Sequence, residues 1–143
     1  MADTRVQLEV EDWVRQNWLG PQLAKRFSRE RVPLRSGGFF DFDAVSEDRT
    51  IVATISTSGA RTAGGKHAVG KVVKIRSDIL FLTMVSAERR LVVLTEQDMY
   101  LHCKKEGADG RMPPEIEFHL VEIPRDLRER LLAARRRASD EMS

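Results

Sequence analysis

Between Gly59 and Lys74 the run "GARTAGGKHAVGKVVK" gathers Arg61, Lys66, His67, Lys71 and Lys74 where a Gly-rich loop passes into a helix. Backbone amides at a helix start favour an anion, because their unsatisfied N–H groups lie at the positive end of the helix dipole. Arg61 and Lys66 stand beside those amides. His67, Lys71 and Lys74 recur at i, i+4 and i+7, so they share a helical face opposite Val69, Val72 and Val73. This combination predicts a surface for phosphates, and a nucleic-acid backbone suits it as well as a nucleotide does. The plainer reading is a solvated helix face. A second cluster lies upstream in "FFDFDAVSEDRTIVATISTS", where Asp41 and Asp43 fall on one face of a strand. They can build a paired-carboxylate site, or they mark the strand's solvent side with Phe40, Phe42 and Ala44 on its buried side.

The elements that must position these residues follow from periodicity. Val6, Val10, Trp13 and Val14, closed by Trp18 and Leu19, give an amphipathic first helix that "GP" ends. Pro33 and Gly37-Gly38 are turn signals before the first secure strand, and "VPL" reads as a shorter one ahead of them. After "SEDR" the β-branched run "TIVATISTS" predicts a buried strand paired to it as a hairpin. The helix that opens near Lys66 carries Val69, Val72, Val73 and Ile75 and extends into "DILFLTMVSA". Then come a strand in "RRLVVLT", a helix in "EQDMYLHCKK", a loop, a strand in "IEFHLVEIP" and a charged helix from about Pro124. The 143 residues predict a single three-layer α/β domain spanning 1–143, a mixed sheet flanked by helices, with 124–143 as the charged C-terminal helix.

This order, and the stretch "GGFFDFDAVSEDRTIVATISTS" within it, resembles the restriction-endonuclease-like, or PD-(D/E)XK, superfamily. In that family an aspartate on one strand is followed, about ten residues later, by Glu-X-Lys on the next. Asp43 matches the aspartate, Thr54 stands at the acid and Ser56 at the lysine, with Ile55 between them. The resemblance therefore implies Asp43, Thr54, Ser56 and Lys66 as catalytic-site positions, Lys66 being a lysine relocated to the following helix. It implies Mg²⁺ as the cofactor of an active member, held here by Asp43 with Glu9 or Glu11 from the first helix. A hydroxyl supplies neither the missing negative charge nor the missing positive one. The expectation is a nucleic-acid-binding domain of this fold that has lost hydrolysis and needs no cofactor. The alternatives are an active Mg²⁺-dependent endonuclease or exonuclease with relocated residues, and a non-catalytic interaction subunit.

A rival reading takes "ARTAGGKH" as the phosphate loop of nucleotide hydrolases. Ala60 replaces its first glycine and His67 its metal-ligating hydroxyl, and no strand ending in a Walker-B aspartate follows. Net charge is +2, with acids and bases nearly balanced, so binding rests on the local cluster of Arg61, Lys66, His67, Lys71 and Lys74. The expected partner is duplex DNA, held through its phosphates, with homodimer or larger complex left open. Arg128, Arg135, Arg136 and Arg137 read as solubilising charge on a terminal helix, and Trp13 and Trp18 as core. Cys103 is the single cysteine, which removes any disulfide within the chain, and His102 and His119 lack metal-ligand spacing. No apolar run is long enough to span a bilayer, and the expected setting is the cytoplasm, with no membrane partner.

Overall fold

Buried apolar stripes and turn residues build an αβββαβαβα order in the structure, a computed structural model that describes residues 4–61 and 67–142, with side chains described through 138. In α1 (Arg5–Trp13) Val6 and Val10 lie on one face, and Val14 and Leu19 continue it through a π-helical segment, Val14–Leu19. The short α2 (Gly20–Leu23) stops where Ala24 turns left-handed, at φ 54°. The sheet then forms from β1 (Phe27–Pro33), β2 (Phe39–Ser46), β3 (Ile51–Ser56), β4 (Arg89–Leu94) and β5 (Ile116–Leu120), in the order β1-β2-β3-β4-β5. The first three strands form an antiparallel meander, and β4 and β5 join parallel after the crossover helices α3 (Val69–Met84) and α4 (Gln97–Ala108). Parallel neighbours need such crossovers, because each strand must return to the same end before pairing.

Helices cover both faces of this mixed sheet. Val10, Val14, Leu127 and Leu131, from α1, its continuation and the terminal α5 (Arg125–Met142), pack with Ala53, Ile55, Leu91 and Val93. Val72, Ile79, Leu82, Met99 and Cys103, from α3 and α4, pack with Phe42, Val45, Val52 and Val92. The single α/β domain with a mixed sheet is as the element order predicts. Trp13 and Trp18 pack against the first core, and burial pushes the Cys103 thiol up to about 11. No helix among the described residues is long and apolar enough to cross a membrane.

Four local expectations change. β1 covers Phe27–Pro33, because "FSRERVP" pairs along β2 rather than only at its "VPL" end. α3 opens at Val69, three residues after Lys66 in the sequence. Its buried stripe is Val72, Ile75, Ile79 and Leu82, whereas Val69 and Val73 are 61% and 55% exposed. Contact with the sheet selects that stripe and leaves Lys71 and Lys74 on one flank, with Val69 and Val73 on the other. Arg128 and Arg135 do not merely solubilise α5: both hold Glu96, and they also donate to the carbonyls of Thr95 and Thr57.

β2 carries the feature that shapes the rest. Phe42 and Val45 oppose Glu30 and Ser28, so β2 takes one more residue than β1 between those pairs. That β-bulge at Asp43-Ala44 shifts the alternation of faces. Phe40 and Phe42 lie on the α3 side as expected, but Ala44 packs into the α1 side.

Candidate functional site

Asp43 sits where two strands part. β2 and β3 are in register at Ala44↔Ala53 and Val45↔Val52, and beyond that pair the Asp43 carboxylate replaces a ladder bond, its Oδ2 accepting the Ile55 N–H at 2.8 Å. Opposite it, Thr54 and Ser56 share the face of Val52, turned towards α3, while Ile55 packs into the other core. The parting opens a cavity of about 680 Å³. Its walls are α1 with Gln7, Leu8 and Glu11; the β1–β2 pair with Arg29, Phe39, Asp41 and Asp43; β3 with Thr54 and Ser56; and α3 with Lys71, Lys74 and Asp78.

Two carboxylates share the floor. The Arg29 Nη1 lies 3.3 Å from Asp43 Oδ1 and 3.9 Å from Glu11 Oε1, and Gln7 donates to Glu11 Oε2 at 3.2 Å. Arg15 fixes the same turn of chain by donating to the Asp43 carbonyl at 2.8 Å. Burial raises the Asp43 carboxyl above its ordinary range, against the Ile55 N–H and Arg29, which lower it. Burial also raises Glu11, and the neighbouring Asp43 charge adds to the effect. Sites kept despite such a cost are candidates for function, since two well-packed apolar residues would be more stable there.

That cost is measurable. Each of these carboxyls holds its proton more tightly in the folded chain than in the unfolded one, so ionisation works against folding. Their contribution to stability is therefore greatest below their ordinary values of 3.8 and 4.5, and it declines as pH rises from there through the raised folded values. Asp43→Asn keeps an oxygen for the Ile55 N–H and removes a charge, and it is expected to raise the unfolding free energy at pH 7 by about 1 kcal/mol. Urea melts at pH 4 and pH 7 check this. Loss of stability at pH 7 would show that the Arg29 pair outweighs burial.

The other expected positions divide. Lys71 lines the cavity and has no ion pair among the described residues, whereas Lys74 is bonded to Asp78 at 2.7 Å and its side chain is 69% exposed. Arg61 and His67 are both exposed and face each other across a β-bridge at the base of the loop, and the Ala68 N–H donates to the Ala60 carbonyl at 2.9 Å. His67 is outside the cavity wall, with its ring centroid 6.5 Å from that of His102. Lys66, with most of the "ARTAGGKH" loop, lies outside the described residues. The loop's entry is pinned from α4: Asp98 Oδ2 accepts the Ala60 N–H at 3.0 Å, and a Cβ on Gly59 would meet both Asp98 oxygens at 3.3 Å.

Glu9 does not join Asp43. It forms a two-pronged pair with Arg130 of α5 at 2.6 and 2.8 Å, beside a separate cavity, because it lies about 200° around α1 from Glu11. Asp41 is not the partner of Asp43 either; it pairs with Arg31 at 2.9 and 3.3 Å on the exposed rim. The carboxylate that reaches Asp43 is Glu11. Sequence reasoning missed Arg29, Phe39 and Asp78, and the "SRER" alternation in β1 was the one signal for Arg29.

The residues present do not fit a divalent metal well. Asp43 and Glu11 already share the Arg29 guanidinium, a hydroxyl stands at Thr54, and no group of three or more His, Cys, Asp or Glu among the described residues could hold a metal ion. Fold and site together define a single α/β domain with a five-stranded mixed sheet and a cleft where β2 and β3 part. No protein-family model, curated protein or solved structure matches the chain.

Proposed function

We propose that this chain is a nucleic-acid-binding domain of restriction-endonuclease-like fold that has lost metal-dependent phosphodiester hydrolysis. The observation that carries the reading is the cleft at Asp43, with Thr54 and Ser56 facing it from β3 and Lys71 and Lys74 on the α3 wall. The helix, antiparallel meander, crossover helix and parallel strand give the family resemblance its support. In this reading Lys71 and Lys74 meet phosphates along the α3 wall, since the acidic floor repels them, and the hydroxyls of Thr54 and Ser56 donate hydrogen bonds. Arg29 offsets part of the floor's negative charge.

An active nuclease is the second reading, and Glu11 favours it by bringing a second carboxylate to Asp43. Incubation of labelled DNA and RNA with Mg²⁺ or Mn²⁺ separates the two. The wild type is expected to cut neither faster than an Asp43→Ala control, because one guanidinium-paired carboxylate couple with two hydroxyls lacks the charge to clamp an in-line attack. Cleavage that disappears in both Asp43→Ala and Glu11→Ala would make the second reading correct. Absence of binding to any nucleic acid at low salt would remove both.

A further inference from the structure

We infer that the cleft takes an unpaired nucleotide, with its base packed on Phe39 and its phosphate on Lys71 and Lys74. The inference rests on the nucleic-acid-binding reading and narrows it from any phosphate backbone to a strand with free base faces. Phe39 is 64% exposed, the most exposed large apolar side chain among the described residues, and it lines the same cavity as the two lysines. Leu8, 54% exposed, lines that cavity from α1. Among the carboxylates that also line it, the cavity thus carries an apolar patch at Phe39 and Leu8 and two cations on the α3 wall, the two surfaces that a base and its phosphate need.

The hairpin holds Phe39 in place. The Leu34 N–H donates to the Gly38 carbonyl at 2.7 Å, Gly37 adopts φ +101°, and Phe39 pairs with Pro33 at the end of the β1–β2 ladder. Its neighbour Phe40 stacks on Phe81, with centroids 4.2 Å apart, and anchors the strand from the opposite face. Phe39 thus stands on a fixed backbone with its ring left to solvent. In a duplex the faces of every internal base are covered by neighbouring pairs, so an exposed ring gains contact only with a single strand, an overhang or a frayed end. The cavity, about 680 Å³, has room for such a nucleotide.

The test uses the full chain and fluorescence anisotropy on three labelled probes: a single-stranded oligonucleotide, a blunt two-stranded duplex with G·C-rich ends that resist fraying, and the same duplex with a single-stranded overhang. Wild type is expected to prefer the first and third. Phe39→Ala should weaken binding to these by about tenfold and leave the blunt duplex unchanged, with Phe39→Trp restoring what Phe39→Leu does not. A 2-aminopurine in the strand, quenched by its base neighbours, should brighten when wild type draws it out of that stack onto Phe39, and much less with Phe39→Leu. Equal single-strand affinity for wild type and Phe39→Ala would overturn the stacking proposal while leaving the binding reading intact. Absence of binding to all three probes would end both. A free nucleoside monophosphate that binds as tightly as the strand, with the same Phe39 dependence, would make the cleft a nucleotide pocket and overturn the proposed strand ligand.

Discussion

Glu96→Ala is expected to lower the free energy of unfolding by about 3 kcal/mol, the largest stability loss from a single substitution outside the apolar cores. Glu96 is 8% exposed at the junction of β4 and α4. Its Oε1 accepts Arg135 Nη1 at 3.0 Å, and its Oε2 accepts Arg128 and the Thr95 hydroxyl, the latter at 2.8 Å. The two arginines come from α5 and also donate to the Thr95 and Thr57 carbonyls. Removing the carboxylate leaves two half-buried guanidinium groups facing each other with no counter-charge. Their side chains retain 29% and 26% exposure, so water relieves part of the cost, which places the effect at the lower end for a broken buried pair.

The sign of its pH dependence is opposite to that at Asp43. Burial raises the Glu96 carboxyl, but Arg128, Arg135 and the Thr95 hydroxyl outweigh it and hold it below the ordinary 4.5. Its stabilisation is fully present above that value and is lost as pH falls through the lower folded one. Wild type and Glu96→Ala should accordingly differ most near pH 7 and converge in acid. Urea melts across that range measure it, and a difference below about 1 kcal/mol at neutral pH would place the network with ordinary surface pairs.

Neutralising Lys66, Lys71 and Lys74 together with Gln is expected to weaken nucleic-acid binding on the order of 100-fold near 0.1 M salt. Each phosphate that a lysine meets releases condensed counterions, so the log–log dependence on salt has a slope near −0.9 per contact on duplex and about −0.7 on a single strand. The triple variant should flatten that slope by about two on a single strand. Lys71 is the strongest contributor expected, since it lines the cleft with no ion pair among the described residues, whereas Lys74 must exchange Asp78 for a phosphate. Lys71→Gln should therefore cost more than Lys74→Gln. Salt titrations by anisotropy check both statements, and equal slopes for wild type and the triple variant would place the phosphates elsewhere.

Much of the fold was legible from neighbours along the chain. The β-branched run "TIVATISTS" became β3 and "RRLVVLT" became β4, because burial on both faces leaves a continuous apolar signature in a central strand, while "IEFHLVEIP" became the edge strand β5, legible from its alternation. α3 was legible as a helix, yet its inward face was not, since Val69 and Val73 are as apolar as the Val72 that is buried. Only the position of the sheet chooses among them. Asp43, Thr54, Ser56, Lys71 and Lys74 were selected from the sequence and do share a cavity, while Glu9 and His67 stand apart from it.

By itself the sequence determined the order of helices and strands, the absence of a charged residue at Thr54 and Ser56, and the grouping of cations between Arg61 and Lys74. These depend on residue type and local spacing, which folding does not alter. Tertiary structure decided that Asp43 meets Glu11 and Arg29 rather than Asp41 or Glu9, and that Phe39 lines the same cavity as the lysines of α3. Those meetings depend on one extra residue in β2, beside which Asp43 accepts the Ile55 N–H, and on α1 and α3 packing against opposite faces of the sheet. Contacts between distant segments follow from register and packing, which no local pattern in the chain records.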